Sequence, residues 1–162
     1  WLAERSEDAI QLDFPARASR PAPASSKLIQ GLGAEPEAIR KGANWMAVFH
    51  SEEEVAALRP DFRILAELHP LGVIATAPGD STDVVSRYFA PSFGIDEDPV
   101  TGSAHCDLAP YWCDRLDRPE FSARQISARG GELRVRLNKE SNRVQLIGQC
   151  RLFMRGEIFV DT

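Results

Sequence analysis

The chain has 162 residues, 43 % of them apolar and 27 % charged, which is the length and composition of one globular domain with a core. Its net charge of -5 argues against a nucleic-acid or anionic-membrane surface, because both partners require clustered positive charge. It has neither a run of about 18 apolar residues nor a charged-then-apolar leader, so we expect a soluble, cytoplasmic protein that binds small molecules or proteins.

The first predicted strand covers residues 9–15, "AIQLDFP", in which apolar and polar residues alternate. This period of two places Ile10, Leu12 and Phe14 on one side and is typical of a half-buried strand. The chain begins with Trp1 and reaches this strand at once, so we expect it to start inside a longer protein.

A connector rich in Pro, Ala and Ser, "ARASRPAPASS", follows the first strand. Ser25 or Ser26 can cap a short helix that runs through Leu32. We expect Gly31 and Gly33 to end this helix.

The next elements alternate between strands and a helix. A strand is predicted over residues 44–50 and a helix over about 52–59, because Ser51 and Glu54 form the capping-box pattern at its start. The segments "GVIATA" and "DVVSRYFA" predict two more strands, since both are rich in β-branched residues.

The last part of the chain predicts an antiparallel meander. Four alternating segments, "ARQISAR", "ELRVRLN", "RVQLIGQC" and "RLFMRGEIFV", are punctuated by Gly130 and Gly131, by residues 138–142 and by Gly156. Strands of this kind, joined by short turns, pair with their neighbours along the chain.

One helix differs from the rest because it has almost no polar face. Residues 102 to about 116 contain the apolar or weakly polar residues Ala104, Cys106, Leu108, Ala109, Tyr111, Trp112, Cys113 and Leu116. A helix that is apolar nearly all round is buried, and Pro110 should bend it slightly. We therefore predict one α+β domain in which a strand-rich barrel wraps around a central buried helix.

The segment "GIDEDPVTGSAHC", residues 94–106, precedes and begins this helix. The first amides of a helix lack internal partners and carry partial positive charge, so Thr101, Gly102 and Ser103 are predicted to bind a substrate carboxylate. Pro99 fixes the local backbone and so aims the side chain of Asp98. In the alternative interpretation, Thr101 or Ser103 is a simple helix cap and the acidic residues only favour the helix N-terminus.

Other chemistries fit the segment less well. Ser103 lacks the G-x-S-x-G frame of a serine hydrolase, and no P-loop lysine follows the glycines. His105 and Cys106 are adjacent and diverge on a helix, which favours a core or supporting role over a nucleophilic dyad. A metal site would need ligands from His50, His69 and His105, whose spacing matches no known motif, so no metal is expected.

The three cysteines, Cys106, Cys113 and Cys150, form an odd count without CxxC spacing, and we expect reduced thiols. If Cys106 and Cys113 share a helix, roughly 10 Å of axial rise separates them, beyond the reach of a disulfide.

Taken together, "SRYFAPSFGIDEDPVTGSAHCDLAPYW", "QISARGGELRV" and "VQLIGQCRLFMRGE" resemble the C-terminal half of the phenazine-biosynthesis isomerase-like (PhzF-like) proteins. That family has the diaminopimelate-epimerase-like fold, in which two similar barrels each surround a helix and the active site lies between them. The resemblance implies that this chain is a single C-terminal domain, with its last strands, about 143–162, crossing to a partner domain.

The resemblance also implies a function. Family members are similar to cofactor-independent isomerases or epimerases that move a proton on a small carboxylate-bearing metabolite, so no cofactor is expected. Asp98 would contribute a carboxylate to the cleft, and Gly102 and Ser103 would hold the substrate. The principal proton-shuttling glutamate of the family lies in its N-terminal half and has no counterpart here, so we expect a chain that is inactive alone and that forms a homodimer or pairs with the missing half. The alternative is a non-catalytic protein of the same fold that binds small anions or a protein partner.

Overall fold

A computed structural model describes residues 2–5, 9–69, 71–150, 154, 156 and 157 of the chain. The helices of this described part are α1 (Ser26–Leu32), α2 (Glu52–Ala57), α3 (Phe62–Ala66) and α4 (Gly102–Arg115). The strands are β1 (Leu2–Arg5), β2 (Ile10–Pro15), β3 (Arg20–Pro21), β4 (Ala38–Lys41), β5 (Trp45–Val48), β6 (Val73–Pro78), β7 (Val84–Ala90), β8 (Ile95–Glu97), β9 (Glu120–Gln125), β10 (Gly131–Asn138) and β11 (Arg143–Gly148). None of these helices has both the length and the apolar character needed to cross a membrane.

The strands form one sheet in the order β1-β2-β11-β10-β9-β7-β6-β5-β4-β3, and β8 pairs with β7 beside this path. The α+β class predicted from the sequence is therefore confirmed. The expected closed barrel is not: β1 and β3 are the two ends of the path, and no pairing among the described strands joins them. Barrel closure depends on which distant strands pair, and alternation within single strands carries no information about that.

Most neighbouring strands are antiparallel, including the predicted meander of β9, β10 and β11. Two pairs are parallel, β5 with β6 and β7 with β9. The first predicted strand, β2, pairs with β11, and Arg143 of β11 donates to the carboxylate of Asp13 at 3.0 to 3.2 Å. The β11 segment thus lies inside the chain's own sheet, and the predicted fourth strand at 151–160 falls almost entirely outside the described residues.

The central strands are buried on both faces of the sheet. Along β6, Ile74 belongs to one apolar cluster, whereas Val73, Ala75 and Ala77 belong to the other. Because successive side chains of a strand point to opposite faces, these clusters are two cores on the two sides of the sheet. This explains why "VIATA" reads as a nearly continuous apolar run.

Helix α4 lies in the first core, as predicted from its lack of a polar face. Leu108, Ala109 and Trp112 are at most 1 % exposed and pack with residues of β5 to β7 and β9 to β11. The second core contains residues of α1, α2 and α3, so short helices cover the face of the sheet opposite α4.

The two predicted N-caps are confirmed. Ser25 Oγ accepts from the amide of Leu28 at 3.3 Å and begins α1, and Ser51 Oγ accepts from the amide of Glu54 at 3.2 Å and begins α2. Gly33 ends α1 with a left-handed φ of 73°. Gly31 does not end it: it lies within α1, where an added Cβ would come within 2.5 Å of Leu65 Cδ2.

Among the differences from the sequence expectations, three concern α2, α3 and β2. Helix α2 ends at Ala57, two residues early, and α3 was not predicted. Asp61 explains α3, because its Oδ1 accepts from the amides of Arg63 and Ile64 at 2.9 and 3.4 Å. Leu12, expected on the buried side of β2, is 38 % exposed.

Candidate functional site

The segment that joins β8 to α4, residues 98–101, is here called the 98–101 loop. It lies against β7, because the amide of Asp98 donates to the carbonyl oxygen of Tyr88 at 3.0 Å. The loop thus places Asp98 at one end and Thr101, the N-cap residue of α4, at the other.

Thr101 does not cap α4 with its side chain. Its hydroxyl makes no capping hydrogen bond and instead donates to Oδ2 of Asp98. No described residue donates to Oδ1 of Asp98, and the side chain is only half-buried. The simple capping role considered for Thr101 is therefore not the one its hydroxyl has, and one carboxylate oxygen of Asp98 stays available.

The amides of Gly102 and Ser103 begin α4, and no described residue accepts a hydrogen bond from either. Gly102 is half-buried and Ser103 is exposed, whereas Thr101 is buried. A Cβ added at Gly102 would touch only Leu146 Cδ1, at 3.5 Å, so the backbone here is open to a ligand. Free amides at the start of a 14-residue helix attract anions.

The acidic residues before the helix would repel an anion, but one of them is neutralised. Arg87 forms a two-pronged ion pair with Glu97, with Nε to Oε1 at 2.8 Å and Nη2 to Oε2 at 2.9 Å. The same guanidinium donates to the carbonyl oxygens of Val55 and Leu58 at the end of α2. The pair therefore ties β8, the strand that leads into Asp98, to the second core.

Sequence reasoning missed Gln125, a fully buried residue at the end of β9. Its Oε1 accepts from the amide of Thr101 at 2.8 Å, and its Nε2 donates to the carbonyl oxygen of Asp98 at 2.6 Å and to Thr101 Oγ1 at 3.2 Å. A signal was present, because Gln125 continues the inward-facing series of Phe121 and Ala123, where a polar side chain is unusual.

The 98–101 loop also rests on the turn between β9 and β10. Ser127 Oγ donates to the carbonyl oxygen of Pro99 at 2.7 Å and accepts from the amide of Gly130 at 3.0 Å. Gly130 has a φ of 68°, a conformation that favours glycine. A Cβ added at Gly131 would come within 2.5 Å of Val100 Cγ2, so Gly131 permits close packing of the loop.

We expect Gly131→Ala to destabilise the protein by about 1–3 kcal/mol and to move the 98–101 loop, because Val100 has few rotamers with which to avoid the new methyl group. Chemical denaturation would measure the loss, and the backbone amide NMR signals of the loop would show the movement. Gly148→Ala is the matched control, since its added Cβ would have no neighbour closer than 3.9 Å. Val100→Ala, added to Gly131→Ala, should restore part of the lost stability. If the double variant is as unstable as Gly131→Ala, the contact between Val100 and the new methyl group is not the cause of the loss.

A buried polar network lies beside this loop. Asn44 Nδ2 donates to Asp107 Oδ2 at 2.6 Å, and the Tyr88 hydroxyl donates to Asn44 Oδ1 at 3.0 Å. Burial raises the pKa of Asp107 above its usual value, although the hydrogen bond from Asn44 and the charge of Arg17 oppose the effect. Burial also raises the pKa of Tyr88, with further contributions from the charges of Asp107 and Asp98.

His105, Cys106 and Cys113 have core positions rather than catalytic ones. His105 is fully buried, burial lowers its pKa, and its Nδ1 lies 2.8 Å from the carbonyl oxygen of Thr101. The hydrogen of the neutral ring is therefore on Nδ1. Cys106 and Cys113 are free thiols whose pKa burial raises to about 11, so neither is a nucleophilic thiolate at neutral pH.

Several depressions lie on the surface of the described residues away from the head of α4. Four depressions of about 330 to 720 Å³ on the described residues are lined by residues other than Asp98, Thr101, Gly102 and Ser103. Within the same residues no group of three His, Cys, Asp or Glu side chains could hold a metal ion. The hydrogen-bond chemistry distinguishes the head of α4.

Comparison with known proteins identifies the family of this chain. The family model described as phenazine biosynthesis-like protein, PhzC-PhzF, matches residues 5–156. The chain belongs to this family. A relative from Pseudomonas aeruginosa, named an uncharacterized isomerase, is 46 % identical over 155 residues, which is 95 % of this chain and 59 % of the relative. Another uncharacterized isomerase, from Halalkalibacterium halodurans, is 38 % identical over 98 % of this chain and 60 % of its own length.

A solved PhzF-family structure from Enterococcus faecalis superposes with a TM-score of 0.89 at 40 % identity, covering 98 % of this chain and 60 % of that one. A second, from Clostridium difficile, has a TM-score of 0.87 at 34 % identity and covers 98 % of this chain and 61 % of that one. The PhzF-like chain thus spans about 60 % of the length of these relatives.

Proposed function

We propose that this PhzF-like chain is the C-terminal domain of a cofactor-independent isomerase or epimerase that shifts a proton on a small carboxylate-bearing metabolite. In this proposal the amides of Gly102 and Ser103, with Thr101 behind them, hold the carboxylate of the substrate. Asp98 contributes a carboxylate beside the carbon at which the proton moves. The relatives named isomerases support the reaction class.

The observation that carries the proposal is the pair of free amides at the head of α4, next to an oxygen of Asp98 that no described residue engages. An anion at these amides is stabilised by two hydrogen bonds and by the helix dipole, without a lysine or arginine. The ion pair of Arg87 with Glu97 lessens the repulsion that the acidic segment would otherwise exert.

A proton shift between carbon atoms requires a base that removes the proton and an acid that returns one. Asp98 can serve as one of these groups, and the second belongs to another wall of the active site. Two features support a second wall: the chain spans about 60 % of its relatives, and Phe93 and Ile95, near Asp98 in sequence, are 56 % and 49 % exposed. The missing N-terminal half, or a second copy of the chain, would cover this surface.

The first test asks whether the head of α4 binds a carboxylate. Acetate is titrated into the ¹⁵N-labelled chain, with sodium chloride at equal ionic strength as the control. We expect saturable shifts that are largest for the amides of Gly102 and Ser103. Shifts that are equal in chloride, or that are spread over the whole surface, would contradict the proposed anion site.

The second test asks whether the complete protein moves a proton. The chain is joined to the remaining N-terminal part of the Pseudomonas aeruginosa relative and incubated in D₂O with a panel of small carboxylic acids that carry acidic C–H groups. We expect uptake of deuterium at carbon that Asp98→Asn abolishes, and little or no uptake by the 162-residue chain alone. Asp96→Asn is the matched control, since Asp96 is exposed and two residues away. Acetate binding without any deuterium uptake would favour the non-catalytic binding protein instead.

A further inference from the structure

The side chain of Gln125 is joined to the 98–101 loop by three hydrogen bonds. It accepts from the amide of Thr101 and donates to the carbonyl oxygen of Asp98 and to Thr101 Oγ1, at 2.8, 2.6 and 3.2 Å. The side chain is fully buried, so water does not compete for these bonds. The loop itself has no regular secondary structure, and a buried backbone amide and carbonyl in such a loop need partners of this kind.

The two ends of the amide group are not interchangeable. The amide of Thr101 can only donate, so it must face the oxygen of Gln125, and the carbonyl oxygen of Asp98 can only accept, so it must face the nitrogen. Leucine or methionine would leave both backbone groups unpaired, and a carboxylate would place an oxygen against the Asp98 carbonyl oxygen. Among residues of this length, only glutamine satisfies both groups at neutral pH.

Gln125 also sets the direction of the hydrogen bond between Thr101 and Asp98. Because Nε2 of Gln125 donates to Thr101 Oγ1, it occupies an acceptor position of that hydroxyl. The hydroxyl hydrogen then points away from Gln125 and toward Oδ2 of Asp98. Oδ2 is held as an acceptor, and Oδ1 is left without a hydrogen-bond donor among the described residues.

From these contacts we propose that Gln125 is the positioning residue of the site: its buried amide fixes the 98–101 loop, orients the Asp98 carboxylate through Thr101, and so presets the anion-binding amides of Gly102 and Ser103. The expected effect on anion binding rests on the proposed function, whereas the effect of Gln125 on the geometry of the loop does not. Gln125 acts through Thr101 and Asp98 and does not itself contact substrate.

The test compares Gln125→Met and Gln125→Glu with the parent chain, using acetate as the probe and the amide signals of Gly102 and Ser103 as the readout. Gln125→Met keeps the side-chain length and removes all three hydrogen bonds. We expect it to weaken acetate binding about tenfold, a change of about 1.4 kcal/mol in binding free energy.

Gln125→Glu makes acetate affinity depend on pH in a way that a purely structural role of Gln125 would not. When the introduced carboxyl is protonated it can donate to the Asp98 carbonyl oxygen, and when it is ionised it repels that oxygen. Burial favours the protonated form, so acetate affinity relative to the parent should be near normal at mildly acidic pH and fall as pH rises. Gln30→Glu makes the same substitution at an exposed position of α1 and should show no such dependence.

Circular dichroism checks that each variant is folded. Hydrogen exchange of the Thr101 amide in the parent chain is a further test that needs no variant. Its amide, bonded to Gln125, should be strongly protected from hydrogen exchange. Rapid exchange of that amide in the parent would overturn the inference, as would folded Gln125 variants that bind acetate like the parent at every pH. A parent that shows no selective response to acetate would overturn the proposed anion site instead, while loss of Thr101 protection in Gln125→Met would still support the positioning role.

Discussion

Trp112→Ala is expected to lower the free energy of unfolding by about 3–5 kcal/mol, a large fraction of the stability of an ordinary domain. Trp112 is 1 % exposed and packs in the core between α4 and the sheet, so its removal leaves a cavity that the surrounding strands cannot fill. Its indole nitrogen also donates to Thr76 Oγ1 at 3.0 Å, and that hydrogen bond is lost. Urea denaturation followed by circular dichroism would measure the effect.

Two control variants separate the contributions to this loss. Trp45→Ala deletes the same side chain where it is only half-buried, beneath the ammonium group of Lys41, and should cost clearly less. Trp112→Phe retains most of the apolar volume, and Thr76 Oγ1 still donates to the carbonyl oxygen of Val85 at 2.7 Å, so it should recover much of the stability. Equal losses for Trp112→Ala and Trp45→Ala would show that α4 is not the centre of the core.

The elements that were predicted correctly have strong local patterns. Helix α4 was predicted because residues 102–116 have almost no polar face, and β10 and β11 because their apolar residues alternate. The N-caps of α1 and α2 follow from Ser25 and Ser51, which act within three residues of their partners. Such features depend on short-range geometry, so a single sequence contains them.

The elements that were missed depend on distant partners. Strand β8 has three residues and is held by pairing with β7 and by the ion pair of Glu97 with Arg87. From the sequence, the same residues were interpreted only as an acidic run before a helix. The strand order of the sheet likewise includes a parallel pairing of β7 with β9, which no local pattern specifies.

The candidate site was predictable only where its residues are close together in the sequence. Asp98, Thr101, Gly102 and Ser103 lie together because they are consecutive or nearly so at the head of α4. Gln125 is 24 residues from Thr101 and 27 from Asp98, and only the tertiary fold joins them. An inward-facing glutamine in β9 indicates a buried polar contact, but the sequence does not identify its partner.

Asp107→Asn is expected to change the pH dependence of stability, with its largest effect at neutral pH. Asp107 is 2 % exposed, its Oδ2 accepts from Asn44, and its Oδ1 has no hydrogen-bond partner among the described residues. Burial raises its pKa from the usual value of 3.8, so the folded protein holds this proton more tightly than the unfolded chain does. The parent protein therefore loses stability as pH rises from about 3.8 through the pKa of the folded state.

Asparagine cannot ionise, so the variant lacks this loss. The stability of Asp107→Asn relative to the parent should rise with pH across the same window and level off above it, by about 1.4 kcal/mol for each pKa unit between the folded and unfolded states. An unpaired side-chain amide hydrogen could lower the whole curve by about 1 kcal/mol, but it would not alter the shape of the curve. Urea denaturation between about pH 4 and pH 8 would record the difference.

The other titrating groups of the core do not produce this rise of relative stability with pH. Burial lowers the pKa of His105, so its contribution to stability is lost as pH falls below about 6.5; it is present in both proteins and cancels in their difference. Burial raises the pKa of Cys106 from 9.0 to about 11 and raises the pKa of Tyr88 from 10.0. Both groups therefore titrate above the pH window of the experiment.

Asp114→Asn, on an exposed turn of the same helix and paired with Lys139, is the matched control and should show no comparable rise. A difference between Asp107→Asn and parent that stays flat from acidic to neutral pH would mean that the buried carboxyl is not a source of instability, and that its hydrogen bond with Asn44 fully offsets its burial.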